Sequence, residues 1–192
     1  TGPQGAAGPG VPTGGTTGQV LAKASAADHD THWVTPATGG GAVVARKAIA
    51  SASDASGTAV IPLANTPPAA TAGWAYTPLT LTHALASAGN RLHIRVAIPA
   101  VLSTWTTAYL LLCQSSEANA IRVAASLGAP RQYPFLLELG AVVAPGTTEA
   151  KTYTVRLGMG YRGTLYVNRN SRYPNLFGDA LQATMTIEEF AP

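Results

Sequence analysis

The chain has 192 residues and a mass of 19.6 kDa, enough for one ordinary domain with a short appendage and too little for a multidomain enzyme. Only 11% of residues are charged, against about 25% in typical soluble domains, and 46% are hydrophobic, which excludes disorder along the whole length. So little charge implies that other copies of the chain cover much of the surface, and an oligomer is expected.

The net charge of +3 rests on nine Arg, spread from Arg46 to Arg172, and three Lys. No basic block forms, so the patch that neutralises several phosphates together is missing and nucleic acid is not an expected partner. Cys113 is the only cysteine, which excludes an intrachain disulfide and a cysteine-based zinc site; within its apolar run it is read as a small buried hydrophobe. No apolar run reaches the ~18 residues of a membrane span, and the Gly/Pro-rich start lacks the pattern of a secretory leader. Neither membrane insertion nor secretion is expected.

In chain order, Gly2-Pro3-Gln4, Gly5-Ala6-Ala7 and Gly8-Pro9-Gly10 are three Gly-X-Y triplets in register. They match the end of a collagen-like stalk, in which only Gly fits the crowded axis; a flexible Pro/Gly tail is the competing reading. Residues 1–12 are assigned to that stalk end, 13–41 to a connector or neck, and 42–192 to a β-sandwich tip domain. The connector is too short and polar for a core of its own, so Val20, Leu21, Trp33 and Val34 are expected to find cover only on neighbouring chains or the following domain.

From residue 42 onward the pattern is β. Leu92, Ile94, Val96 and Ile98 alternate with Arg91, His93 and Arg95, the period of a half-buried strand whose polar face meets solvent or another subunit. Similar alternation marks 152–157 and 164–168, and further strands are expected at 58–63, 77–82, 107–113, 135–143 and 182–190. Helix is tolerated only at 42–52 and 116–127. Serial short strands between Gly, Pro, Asn and Ser clusters predict an all-β sandwich or barrel.

Chemistry-bearing constellations are sparse. Gly158-Met159-Gly160-Tyr161-Arg162-Gly163 fits the dinucleotide fingerprint by letter, but a strand pattern follows where a helix must begin, so a glycine-rich hairpin is predicted. Asp28, His29, Asp30 and His32 gather four potential metal ligands in five residues, but a polar connector gives them no rigid support; turn-forming Asp and solvated His are the reading adopted, with no metal and no cofactor. Glu188 and Glu189 point to opposite faces of a strand and cannot act as a catalytic pair. No catalytic residue is assigned, and an enzyme is not expected. The Arg169-Asn170-Ser171-Arg172-Tyr173-Pro174-Asn175 loop, with Tyr161, Arg162 and Tyr166, combines aromatic rings with Arg and Asn donors, a chemistry suited to saccharides.

Gly14-Gly15-Thr16-Thr17-Gly18-Gln19-Val20-Leu21-Ala22-Lys23 followed by Asp28-His29-Asp30-Thr31-His32-Trp33 resembles a connector that follows collagen-like repeats in tailed-bacteriophage tail fibres. That family commonly carries Tyr at the position of His29. Residues 145–156, 163–168 and 184–190 are similar to the last strands of phage fibre tips. The resemblance implies an antiparallel jelly-roll sandwich of the tumour-necrosis-factor and complement type, forming a homotrimer behind a short collagen-like segment. It implies a virion protein, extracellular on release, that binds a host-surface saccharide or outer-membrane protein during attachment. Receptor-binding candidates are Tyr161, Arg162, Arg169, Arg172, Tyr173 and Asn175. The alternative is a purely structural trimerisation or capsid-decoration domain.

Overall fold

The computed structural model describes residues 12–27, 30–34, 41–129, 133–169 and 180–192, and divides the chain into Thr1–Ala42 and Val43–Pro192. In the first unit, β1 (Val20–Lys23) and β2 (Thr31–Val34) form an antiparallel hairpin. The Trp33 indole N–H donates to Pro12 O at 2.7 Å, and its ring lies over Gly15, so the tryptophan finds cover within its own segment. Val20 and Leu21 stay exposed. His32 is exposed on β2, while Asp28 and His29 lie outside the described residues.

Among the described residues, the second unit holds ten strands: β3 (Val43–Ser51), β4 (Ala55–Gly57), β5 (Trp74–His83), β6 (Arg91–Leu102), β7 (Thr106–Gln114), β8 (Arg122–Ala129), β9 (Pro134–Val143), β10 (Lys151–Met159), β11 (Leu165–Val167) and β12 (Ala183–Phe190). Eight of them pair in nested antiparallel fashion: β3 with β12, β5 with β10, β6 with β9, and β7 with β8. Alternate pairs join side by side, giving β3-β12-β6-β9 in one sheet and β5-β10-β7-β8 in the other. Nested pairs dealt alternately to two sheets are the winding of a jelly roll, so the fold is an all-β antiparallel jelly-roll sandwich. β9 occupies one edge of β6 from Leu92 to Val101, so β12 and the short β11 share the other, with β4 beyond β11.

Period-two alternation builds the core. Leu92, Ile94, Ile98, Leu110, Leu112, Leu157 and Ile187 are fully buried between the sheets, each contributing about 1.5–3 kcal/mol over an exposed state. A second, smaller cluster lies outside the four-stranded sheet, where Tyr109, Leu111 and Cys113 of β7 are covered by Ile61, Ala70 and Ala72. The covering segment, 58–73, is pinned at both ends. Ile61 N donates to Met159 O and Met159 N to Ala59 O, and the Arg156 guanidinium donates to the carbonyls of Thr71, Ala72 and Gly73, each at 2.7 Å. Between the pins, residues 61–69 stand off Tyr109 and Val123 around an apolar cleft of about 540 Å³.

Three expectations are corrected. No helix occurs among the described residues: 42–52 contains β3, and 116–127 holds a turn and most of β8, because edge positions tolerate their small and β-branched residues. Residues 58–63 are not a strand but the start of the covering segment, touching the sheet through one bridge, Val60 to Met159. The glycine run 158–163 is not a hairpin, since β10 and β11 belong to different sheets and the run carries the chain across the sandwich.

Candidate functional site

The glycine crossover shapes the surface that carries Tyr161 and Arg162. At Gly158 a Cβ would come within 2.5 Å of Ile61 Cδ1, so the glycine admits the covering segment. Gly160 N then donates to Thr107 O at 2.9 Å, and the chain turns against the β6–β7 turn at 103–105. Ser103 N donates to Thr164 O, Thr164 N to Ser103 Oγ, and Thr104 Oγ1 to Arg162 O, all at 2.8–2.9 Å. Gly163 has φ +152°, and a Cβ there would overlap Thr104 Oγ1, so close seating of the two turns requires glycine.

These two turns present Trp105, 69% exposed, and Tyr161, 62% exposed. Register brings in a third ring. Val101 pairs with Pro134, so Tyr133, 68% exposed, leads into β9 beside the end of β6. Trp105, Tyr133 and Tyr161 are the only aromatic side chains exposed among the described residues, and all three lie at one end of the sandwich. Val43, the first residue of the unit, pairs with Phe190, which pairs with Arg91 at the start of β6. The aromatic end is therefore the far end, separated by the whole of β6, roughly 35 Å.

Arg162 sits over the Tyr161 ring with its guanidinium carbon 5.4 Å from the centroid, and it makes no ion pair among the described residues. Arg169 is not part of this group. The three residues of β11 separate it from the crossover, and it pairs with Asp54 at 3.1 Å and lies over Tyr166 at 5.8 Å. Its position is set by Asn168, buried in the left-handed conformation at φ 55°, whose N–H donates to Pro99 O and whose Nδ2 donates to Ser51 O, Ser53 O and Tyr76 Oη. Arg172, Tyr173 and Asn175 lie outside the described residues. Of the six predicted residues, the structure brings together Tyr161 and Arg162, and it adds Trp105 and Tyr133. Trp105 had a signal in sequence, a large aromatic in a Ser-Thr-Trp-Thr-Thr turn between two apolar runs, with no core of its own to enter.

At the opposite end, Glu189 points inward and is 1% exposed, while Glu188 faces out and pairs with Arg46 at 3.5 Å. Glu189 accepts from His83 Nε2 at 2.7 Å, Ala86 N at 2.8 Å and Asn90 Nδ2 at 2.5 Å. A carboxylate can only accept, so His83 Nε2 is the donor, and His83 Nδ1 is buried without a partner among the described residues. Desolvation pushes the Glu189 pKa up, but the bonds from Asn90, His83 and the Ala86 amide outweigh it and hold the carboxyl below the usual range. This buried group joins β5 to β12 and holds the loop between β5 and β6.

The outer face of the six-stranded sheet carries Arg91, His93 and Arg95 with Thr184, Thr186 and Glu138. Gly140, opposite Arg95, leaves a cleft of about 520 Å³ there.

No family model matches the chain, and no curated protein matches it. Among solved structures, a tumour-necrosis-factor protein, Eiger of S. frugiperda, aligns with 14% identity and a TM-score of 0.37 over 57% of this chain and 61% of its own. A structure of infectious bursal disease virus, Gx strain, aligns with 14% identity and a TM-score of 0.32 over 76% of this chain. The chain spans less than two thirds of either protein, 61% and 36% of their lengths. Both TM-scores lie below 0.5, so the jelly-roll assignment rests on the strand pairing.

Proposed function

We propose that the protein is the receptor-binding tip of a tailed-bacteriophage virion fibre. The jelly roll trimerises, the Gly-X-Y triplets join a collagen-like stalk, and the aromatic end meets a host-surface receptor during attachment. One observation carries this reading: every exposed aromatic ring among the described residues lies at the end of the sandwich away from Val43, the residue at which the chain arrives from the connector. Exposed aromatics normally cost solubility, and their collection on one end is the mark of a binding surface. A saccharide suits this end better than an outer-membrane protein, since flat rings beside an Arg donor match the apolar faces and hydroxyls of sugars.

The test is competition for adsorption by purified protein. Trp105→Ala combined with Tyr161→Ala is expected to abolish competition with phage on susceptible cells, while native mass and melting temperature stay at wild-type values. Full competition by the double variant would overturn the assignment of this end. Failure of the wild type to decorate any susceptible cell would favour a purely structural trimerisation or decoration domain.

A further inference from the structure

The aromatic end carries an asymmetry of charge that bears on its ligand. The described residues of its three turns, 103–105, 133 and 160–164, include Arg162 and no carboxylate. Arg162 is exposed, lies over the Tyr161 ring, and makes no ion pair among the described residues. Its backbone is fixed independently of its side chain, because the Arg162 carbonyl accepts from Thr104 Oγ1, one residue before Trp105. That bond seats the Arg162 backbone against the turn that carries Trp105, the most exposed aromatic ring among the described residues. A guanidinium lying on an aromatic face keeps its N–H fork directed outward at the ring edge, the geometry for two parallel bonds to a carboxylate.

We infer that the ligand of this end is an acidic saccharide, with a sugar ring against Trp105 and its carboxylate on the Arg162 guanidinium. The inference rests on the receptor-binding reading and deepens it. A neutral sugar would leave the guanidinium without a charged partner, and an apolar surface would leave it desolvated at a cost. The carboxylate supplies charge and orientation, and Trp105 supplies area.

Tryptophan fluorescence reads this site selectively. Trp33 and Trp74 are half-buried, Trp33 with its indole N–H bonded and Trp74 packed on Gly57, whereas Trp105 is 69% exposed and accessible to acrylamide. The probes are oligosaccharides of glucuronate, galacturonate and sialate, each with its carboxyl-reduced counterpart, titrated to millimolar concentration into the full chain. At least one acidic probe is expected to protect Trp105 saturably, its reduced counterpart is not, and Arg162→Gln weakens protection by about tenfold or more. Added salt weakens it in the wild-type protein too, an arm that depends on no variant. Equal protection by acidic and reduced probes would overturn the inference. So would absence of protection in protein that still decorates host cells, which leaves the receptor reading standing. Absence of both protection and decoration removes both.

Discussion

Glu189 shows how much of this fold hangs on single polar contacts. Its carboxylate is buried among three donors, and removing one member of such a group costs about 3–5 kcal/mol because the remaining charge has no water to turn to. Its folded pKa lies below the ordinary value of 4.5, so the stabilisation is complete above that pH. Below it the unfolded chain takes a proton that the folded chain refuses, and stability falls by up to about 1.4 kcal/mol per pH unit until the lower folded pKa is passed. Urea midpoints measured from neutral pH down to the folded pKa are expected to show this loss in the wild type and a shallower slope in Glu189→Gln; equal slopes would reject the account. The acid pair was legible in sequence only as far as direction. Alternation places Glu189 on the inward face, but its partners stand 99 and 106 residues away, beyond the reach of any local pattern.

Strands were legible wherever one face is buried and the other wet. Alternation at 91–98 and 152–157, and runs bounded by turn residues at 107–113, 135–143 and 182–190, predict strands that the structure contains, within one or two residues at most ends and with β6 running on to Leu102. β3 and β8 escaped because these edge strands mix small and β-branched residues with no regular alternation of polar and apolar side chains, which leaves no period to read. The covering segment escaped for a different reason. Thr58 to Leu63 is an apolar run between turn residues and so reads as a strand, but the covering segment's partners are a glycine gap at Gly158 and an arginine on β10, so its geometry is set from outside. Arg156 should therefore control access to what lies beneath. Cys113 is 3% exposed under that segment; burial pushes its thiol pKa up, and Arg156 pulls it partly back. Arg156→Met is expected to raise the rate of Cys113 labelling by a thiol reagent by about tenfold or more, since it removes bonds to three carbonyls, each worth about 1.5–3 kcal/mol with a charged donor. The substitution also removes a positive charge that favours the thiolate, so any gain reports opening rather than chemistry. An unchanged rate would show that the backbone bonds alone hold the segment.

At the scale of the molecule, the sandwich has surfaces that a monomer would need to defend. β9 forms an edge of its sheet over ten residues, with Leu136 51% and Val142 69% exposed, a single carboxylate in Glu138, and no lysine or bulge to discourage pairing. Long, flat apolar edges of this kind associate, and a closed ring satisfies them where open pairing would produce aggregates. The low charge of the whole chain points the same way. Association is therefore the expected state, and if it is the homotrimer of the proposed fibre reading, light scattering on low-micromolar protein should return about three times 19.6 kDa. If β9 lies in the contact, Val142→Lys should shift the mass toward one chain and lower the melting temperature, and wild-type melting should rise with protein concentration wherever unfolding is reversible. A charge at Leu63, 87% exposed on the covering segment, serves as the control and should leave the mass unchanged. A wild-type monomer would remove both the trimer and the collagen-like stalk, because a Gly-X-Y helix needs three strands. A trimer indifferent to Val142→Lys would move the contact to another face.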